Sequence, residues 1–460
     1  MKSMKRPGVN DGAAAGQEGS AASLALAKSF AHFAHPKGSD LLARTEDYYR
    51  WWQARNQADV WTYALAIQGR AGPEATFQTV QGRMCSGVNF ATQDYLSLAL
   101  HPCIHEAAIR ALRDFGPHSA GSSALSGNSS LSLQLERALS ELVQMPHVTL
   151  FPTGWAACFG TIVALIRPDD HVVIDHLAHA SLQTGAHAAT AKIRRFRHLD
   201  GTEAERHLRE IRSTDSQNGI LVVTEGLYSM DSDSPDLAFL QRLCRECYAT
   251  LLVDVAHDLG ATGPNGTGQL GAQGLLGQVD LVVGAFSKTF ATNGGFVATH
   301  SPAVNQYIKA FGCSNTFSAA LSPVQTAVAI EATRIIRSAE GEKLRTRLAQ
   351  NVSMLRDAFA AAGICCLGSP SPLVMVPVGN EKVARLASRR NFAKGVFANL
   401  VEFLAVAVGA ARFRLQVMAN HTEEHVRAAA ARVAKSIEEA RDMVCKLRNA
   451  RPTAASGGSP

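Results

Sequence analysis

The chain has no long hydrophobic run: its apolar stretches stop well short of the ~20 residues a membrane-spanning helix requires. The N-terminus lacks a basic segment followed by an apolar core, so no secretory leader is expected. A cytoplasmic location follows by default. Blocks of lysine or arginine are missing too. The formal charge of +6 is spread over 460 residues, which argues against nucleic acid and for phosphorylated or acidic small ligands. The nine cysteines form no disulfide-like framework, so a reducing compartment is expected. Cys244 and Cys247 make the lone Cys-x-x-Cys; with no second pair to complete a four-ligand metal site, they read as ordinary cysteines of a helix over 236–248. There is no internal repeat and no G-x-x-x-x-G-K-[ST] phosphate loop.

What is present is enough for one or two sizeable cores, since 46% of the residues are hydrophobic. The Ala-, Gly- and Ser-rich start has little that could pack, and disorder is expected over 1–40 and again over 451–460. Aromatic residues are only 7% of the chain, yet Tyr48, Tyr49, Trp51, Trp52, Trp61 and Tyr63 crowd together. A helical arm over 41–88, packed on the body or on a second subunit, explains them better than a ligand site.

From 89 to 330, short apolar runs alternate with helical stretches, the pattern of repeated βα units. Candidate strands at 148–151, 171–174, 220–224, 250–254 and 281–284 are β-branched and apolar throughout, as parallel strands covered on both faces should be. One long helix is expected from 323 to about 362, closed by Gly363. Residues 331–450 then supply this linking helix and a smaller α+β domain. Its last helix opens at Thr422, with Glu423 and Glu424 in the first turn and Val426, Val433, Ile437 and Val444 on one face. A large and a small domain meeting at a cleft is the architecture these patterns predict.

Five strand ends carry polar groups. Asp254 and His257 close Asp-Val-Ala-His after 250–253, at the edge of the sheet where α/β proteins bind ligands. Lys288 follows Leu-Val-Val-Gly-Ala-Phe-Ser, where a low-dielectric cleft would lower its pKa and make it nucleophilic. Gly294 and Gly295 beyond it allow close backbone approach. Phe-Pro-Thr-Gly-Trp (151–155) leads from strand to helix, so amides of Gly154 and Trp155 could hold a phosphate. His179 could lie over a flat ring, and Ser229 adds a hydroxyl at another strand end. Each has an ordinary structural explanation alone; the set suits one aromatic phosphate.

The ordered motifs Asn-Phe-Ala-Thr-Gln-Asp-Tyr-Leu-Ser-Leu (89–98), Ser-Gly-Asn (126–128), His-Ala-Ser (179–181), Tyr-Ser-Met-Asp (228–231), Asp-Val-Ala-His (254–257), Phe-Ser-Lys (286–288) and Arg-Phe-Arg-Leu (412–415) resemble the α-oxoamine synthase family. The resemblance implies a fold-type I pyridoxal 5′-phosphate transferase, with a large, mainly parallel sheet domain and a small C-terminal α+β domain. It implies decarboxylative condensation of a small amino acid with an acyl-CoA or acyl-carrier thioester, in a homodimer whose subunits share each site. By resemblance, Lys288 holds the cofactor as a Schiff base and later acts as base at Cα. Asp254 faces the ring nitrogen and keeps it protonated. His179 stacks on the ring, His257 reaches the 3-hydroxyl, Ser229 helps set the ring, and Gly154 and Trp155 face the phosphate. Arg414 pairs with the substrate carboxylate, with Gln93 nearby, while Arg412 is expected on the opposite face of its strand.

Departures from the family pattern fall on the phosphate and substrate sides. Ala285 stands where the family has a threonine, and Ala319 where a partner subunit gives a hydroxyl; Ser287, Thr316 or Ser318 are the compensating candidates. Gln93 replaces an Asn, Ser97 a Gly and Ser132 a His. The resemblance places a long-chain acyl reaction first, a biotin-pathway reaction second and glycine-specific chemistry lower. An aminotransferase, a β-eliminating lyase and a non-catalytic subunit on the same fold remain the alternatives.

Overall fold

The computed structural model describes residues 24–449; the expected disorder over 1–23 and 451–460 lies outside the described residues. In chain order the strands are β1 Ala66–Gln68, β2 Glu74–Gln78, β3 Met84–Phe90, β4 His147–Phe151, β5 His171–Asp175, β6 Ile193–Phe196, β7 Ile220–Glu225, β8 Thr250–Asp254, β9 Leu281–Ala285, β10 Gly295–Thr299, β11 Leu373–Gly379, β12 Val396–Val401 and β13 Ala411–Gln416. They form two sheets. The seven-stranded one runs β4-β10-β9-β8-β7-β5-β6, with β10 antiparallel to both its neighbours and the remaining pairs parallel.

All five expected strands of this sheet are present, and β7 and β9 are buried along their whole length. Successive residues serve opposite faces. Val223, Leu252 and Val283 pack with Ile162, Leu182 and Ile308, while Val222, Val253 and Val282 pack with Leu208, Leu240 and Ile335. Helices therefore cover both faces, and the polar ends of the strands are left to line a cleft. β6 and β10 carry weaker sequence signals: β6 reads Ile-Arg-Arg-Phe at the sheet edge, and β10 begins at a glycine.

The small domain is built from both ends of the chain, which corrects the expected division. Only Glu46–Gln57 of the anticipated helical arm is a regular α-helix; residues 66–90 supply three strands. These join the C-terminal strands in the order β1-β2-β3-β12-β13-β11, through a parallel pairing of β3 with β12. Residues 24–33, expected to be disordered, pack here too, Arg385 Nη1 donating to the Lys28 carbonyl at 2.6 Å, while residues 34–40 are exposed. The long helix expected over 323–362 is two, Pro323–Ile336 and Ala339–Ala361, because the Ser338 hydroxyl accepts from Gly341 N–H and caps a new start. The last helix, Glu423–Asn449, buries Val426, Val433 and Ile437 as its spacing predicts. Cys244 lies in Leu237–Glu246, with Cys247 as its C-cap. Among the described residues no helix is long and apolar enough to cross a membrane.

The N-terminal aromatics surround a charge. Arg55 lies 4.8 Å from the Trp51 ring, 5.0 Å from Trp61 and 5.6 Å from Tyr63, geometry suited to cation–π attraction. Glu402 pairs with Arg55 at 3.3 Å and with Arg385 at 2.8 Å, all three side chains being 0% exposed. Removing the shared carboxylate strands two guanidinium groups out of water. Glu402→Ala is thus expected to destabilise the fold by about 3–5 kcal/mol, measured by chemical denaturation; a loss below about 1 kcal/mol would put this triad with ordinary surface pairs.

Candidate active site

The cleft opens at the C-terminal ends of β5, β7, β8 and β9, between the two domains, and encloses about 430 Å³. The parallel register sets Glu225 of β7 beside Asp254 of β8, so two carboxylates share the floor. Lys288 enters from the loop after β9, His179 from the loop after β5, and Arg414 from β13 of the small domain. His257, Ser229, Ser287, Gln93, Gly154 and Trp155 also line the space. The structure thus brings together every expected site residue except Ser318.

Ser318 does not line the cleft of its own chain. Ala319 bridges to Ser122, and Ala320 N–H donates to Gly121 at 2.8 Å, which keeps this loop away. Thr316 is also turned elsewhere, its hydroxyl donating to carbonyls of its own helix-turn segment. Arg412 corrects a second expectation. Residues two apart share a strand face, and both arginines reach Met230: Arg412 Nη1 donates to its carbonyl at 2.7 Å and to Asp231 at 2.7 Å, while Arg414 Nη1 is 3.9 Å from its sulfur.

Burial controls the charges. It lowers the Lys288 pKa, although Asp254 and Glu225 pull it back up. It lowers His179 and drives His257 well below the usual imidazole range, so both rings are neutral. It also raises Glu225, reinforced by Asp254. Ser181 N–H donates to His179 Nδ1 at 3.3 Å, leaving the ring proton on Nε2. His257 Nδ1 is 2.8 Å from the Tyr95 hydroxyl. Asp254 Oδ1 accepts from Ala256 N–H at 2.9 Å.

At the other wall, Thr153 caps helix Gly154–Leu165 through Ala156 N–H; the amides of Gly154 and Trp155 remain outside that bond, at the positive end of the helix. A Cβ on Gly154 would stand 2.3 Å from the Ala285 Cβ, and one on Gly295 would stand 2.6 Å from the Gly154 Cα. The glycines seat this helix start against β9 and β10 at the edge of the cleft. A phosphate at these amides, a ring nitrogen at Asp254 and an aldehyde carbon at Lys288 match the donors present, and Arg414 Nε is buried without a partner. The residues fit pyridoxal phosphate.

Sequence reasoning missed Glu225, Tyr95 and Cys158 as cleft neighbours. Tyr95 lies inside the 89–98 motif beside Asp94, and Glu225 directly follows the strand expected over 220–224. Cys158 is a small residue inside a helix and carries no such signal.

This arrangement on this sheet defines a fold-type I pyridoxal-phosphate enzyme. Residues 86–433 match the family model for aminotransferase class I and II. The chain is 34% identical over 364 residues to 8-amino-7-oxononanoate synthase of Geobacter metallireducens, covering 79% of this chain and 92% of that protein. It is 36% identical over 335 residues to the synthase of the same name from Salmonella paratyphi B, covering 73% and 85%. Serine palmitoyltransferase from S. paucimobilis superposes with a TM-score of 0.81 at 28% identity, over 88% of this chain and all of that one. The chain belongs to the α-oxoamine synthase family.

One imidazole behind the cleft ties two of its loops together. His198 Nδ1 lies 3.0 Å from Asp175, which opens the loop to His179, and Nε2 lies 3.0 Å from Asp233, beyond Ser229. Burial disfavours its charge, but the hydrogen bonds to Asp175 and Asp233 outweigh that and raise its pKa to about 10. The folded state therefore holds a proton that the unfolded state releases near 6.5. This stabilisation is complete below 6.5 and fades as pH rises towards 10. Thermal melts across that window should show a fall in stability that is smaller in His198→Gln; equal slopes would exclude the imidazolium as its source.

Proposed function

We propose that this protein condenses a small amino acid with an acyl thioester, with loss of carbon dioxide, to give an α-amino ketone. The observation that carries the reading is a single cleft holding Lys288, Asp254 and the buried guanidinium of Arg414. Pyridoxal phosphate, when bound, supplies an electrophilic aldehyde and an electron-withdrawing ring that takes up the electron pair released at Cα.

Lys288 would anchor the cofactor and move a proton at the amino acid's Cα; burial lowers its pKa and so favours the nucleophilic amine. Asp254 holds a proton on the ring nitrogen. His179 would cover the ring with its Nε2–H unengaged by Ser181, and His257, held by Tyr95, would serve the ring hydroxyl. Gly154, Trp155 and Ser287 serve the phosphate, with Ser229 at the ring. Arg414 binds the amino-acid carboxylate, orienting the Cα bonds, and Gln93 lies beside it. Arg412 holds the 229–231 loop instead.

An apolar hollow of about 620 Å³ shares Met230 and Arg414 with the cleft and is walled by Tyr63, Leu65, Phe77 and Leu404. It supports a hydrocarbon acyl group as the second substrate's reacting arm. Phe317 and Leu125, 87% and 85% exposed, flank the Ser122–Ala319 bridge. Their exposure supports a homodimer in which Ser318 serves the partner's site.

Mass spectrometry of products from panels of amino acids and acyl-CoAs tests the reaction; cofactor conversion to its amine form by amino acid alone would indicate transamination instead. Lys288→Ala is expected to abolish borohydride-fixable cofactor and turnover without unfolding. Asp254→Asn should retain cofactor yet lose at least about a hundredfold in kcat, since each ~1.4 kcal/mol of lost transition-state stabilisation is tenfold. Arg414→Ala should raise the amino-acid KM by about ten- to a hundredfold, the range of a lost charged hydrogen bond, while leaving binding of the corresponding amines unchanged. Arg414→Lys should recover part of that loss. Equal effects on acids and amines would remove Arg414 from the carboxylate role.

A further inference from the structure

Cys158 lies one turn into helix Gly154–Leu165, is buried, and lines the catalytic cleft. Its Sγ is 3.4 Å from Asp254 Oδ2 and donates to it. The opposite oxygen is already engaged by the Ala256 amide, so the thiol and the amide hold different oxygens of the carboxylate. The Ser181 hydroxyl is 2.8 Å from His179 Nδ1. Cys158, Ser181, His179 and Asp254 all line the same cleft.

We propose that Cys158 is a positioning residue that shares Asp254 with the cofactor's ring nitrogen. The inference rests on the cofactor reading above. A thiol is a weak donor. It therefore fixes the carboxylate's orientation in a water-poor site while leaving most of the oxygen's accepting capacity for the ring N–H. A stronger donor there would hold Asp254 equally well and weaken its grip on the ring proton; no donor would leave the carboxylate free to turn. Acting through Asp254, the sulfur needs no contact with substrate.

The S–H stretching band, which falls where other protein groups absorb little, reads this bond directly, and subtracting the Cys158→Ala spectrum isolates it from the other eight cysteines. In cofactor-free enzyme the band should be displaced to low frequency. It should move up in Asp254→Asn, and move up again in wild type on loading pyridoxal phosphate, as the ring N–H competes for Oδ2. The ¹⁵N signal of ring-labelled cofactor should shift in Cys158→Ala and return towards, or past, the wild-type position in Cys158→Ser. A side chain that merely fills space would leave both signals where they are. An S–H band indifferent to Asp254→Asn, or ring signals identical in all three proteins, would overturn the proposal. Failure of wild type to bind cofactor would instead reject the functional reading, with the cofactor-free band still testing the hydrogen bond.

Discussion

Two carboxylates that the sheet register forces into one buried floor set the terms for the rest of the cleft. Glu225 and Asp254 end adjacent parallel strands, and burial makes their combined ionisation expensive. The site answers with placement. Burial and Asp254 push Glu225 towards its neutral form, Lys288 brings an opposite charge, and backbone amides satisfy one oxygen of each: His179 N–H for Glu225 at 2.6 Å and Ala256 N–H for Asp254 at 2.9 Å. His257 and His179 stay neutral under the same burial. The cleft therefore pairs a carboxyl that burial pushes towards its neutral form with an amine whose charged form burial disfavours.

A second charged cluster does structural service at a distance. Arg55, Glu402 and Arg385 bind the N-terminal segment to the small domain through the Lys28 and Val60 carbonyls, and the aromatic rings around Arg55 shield a net positive charge that has no water to turn to. The same segment contributes Tyr63 and Leu65 to the hollow beside the cleft. The wall on which the acyl group is proposed to lie thus depends on an ion-paired scaffold, and the catalytic floor belongs to the other domain. Arg414 and Met230 are where the two meet.

Two of the departures noted in the sequence, Ala285 and Ala319, fall on the expected phosphate side. Ala285 packs against Gly154 so closely that neither position has spare volume, and Ser287 is the hydroxyl from that loop that reaches the cleft. Ala319 lies on the outer loop beside Ser318, turned from its own site.

Much of the large domain was legible because its information is local. Apolar β-branched runs such as 220–224 and 281–284 can hardly be anything but covered parallel strands, and a carboxylate or lysine directly after such a run is carried to the sheet's C-terminal edge. Lys288, Asp254, His179 and the helix start at Gly154 were readable for that reason, and the ordered motifs supplied the family. Tertiary structure alone decided what depends on partners distant in sequence. β3 pairs with β12 across some three hundred residues, so no local pattern could show that 66–90 belongs to the small domain. The buried pairing of Arg55 depends on Glu402, 347 residues further along the chain. Glu225 and Cys158 became neighbours of Asp254 only when adjacent strands and a packed helix placed them there, and Ser318 left the site because its loop pairs elsewhere. Periodicity and residue type determine which elements form and which ends carry charge; which buried group faces which is set by packing between segments that the sequence keeps far apart.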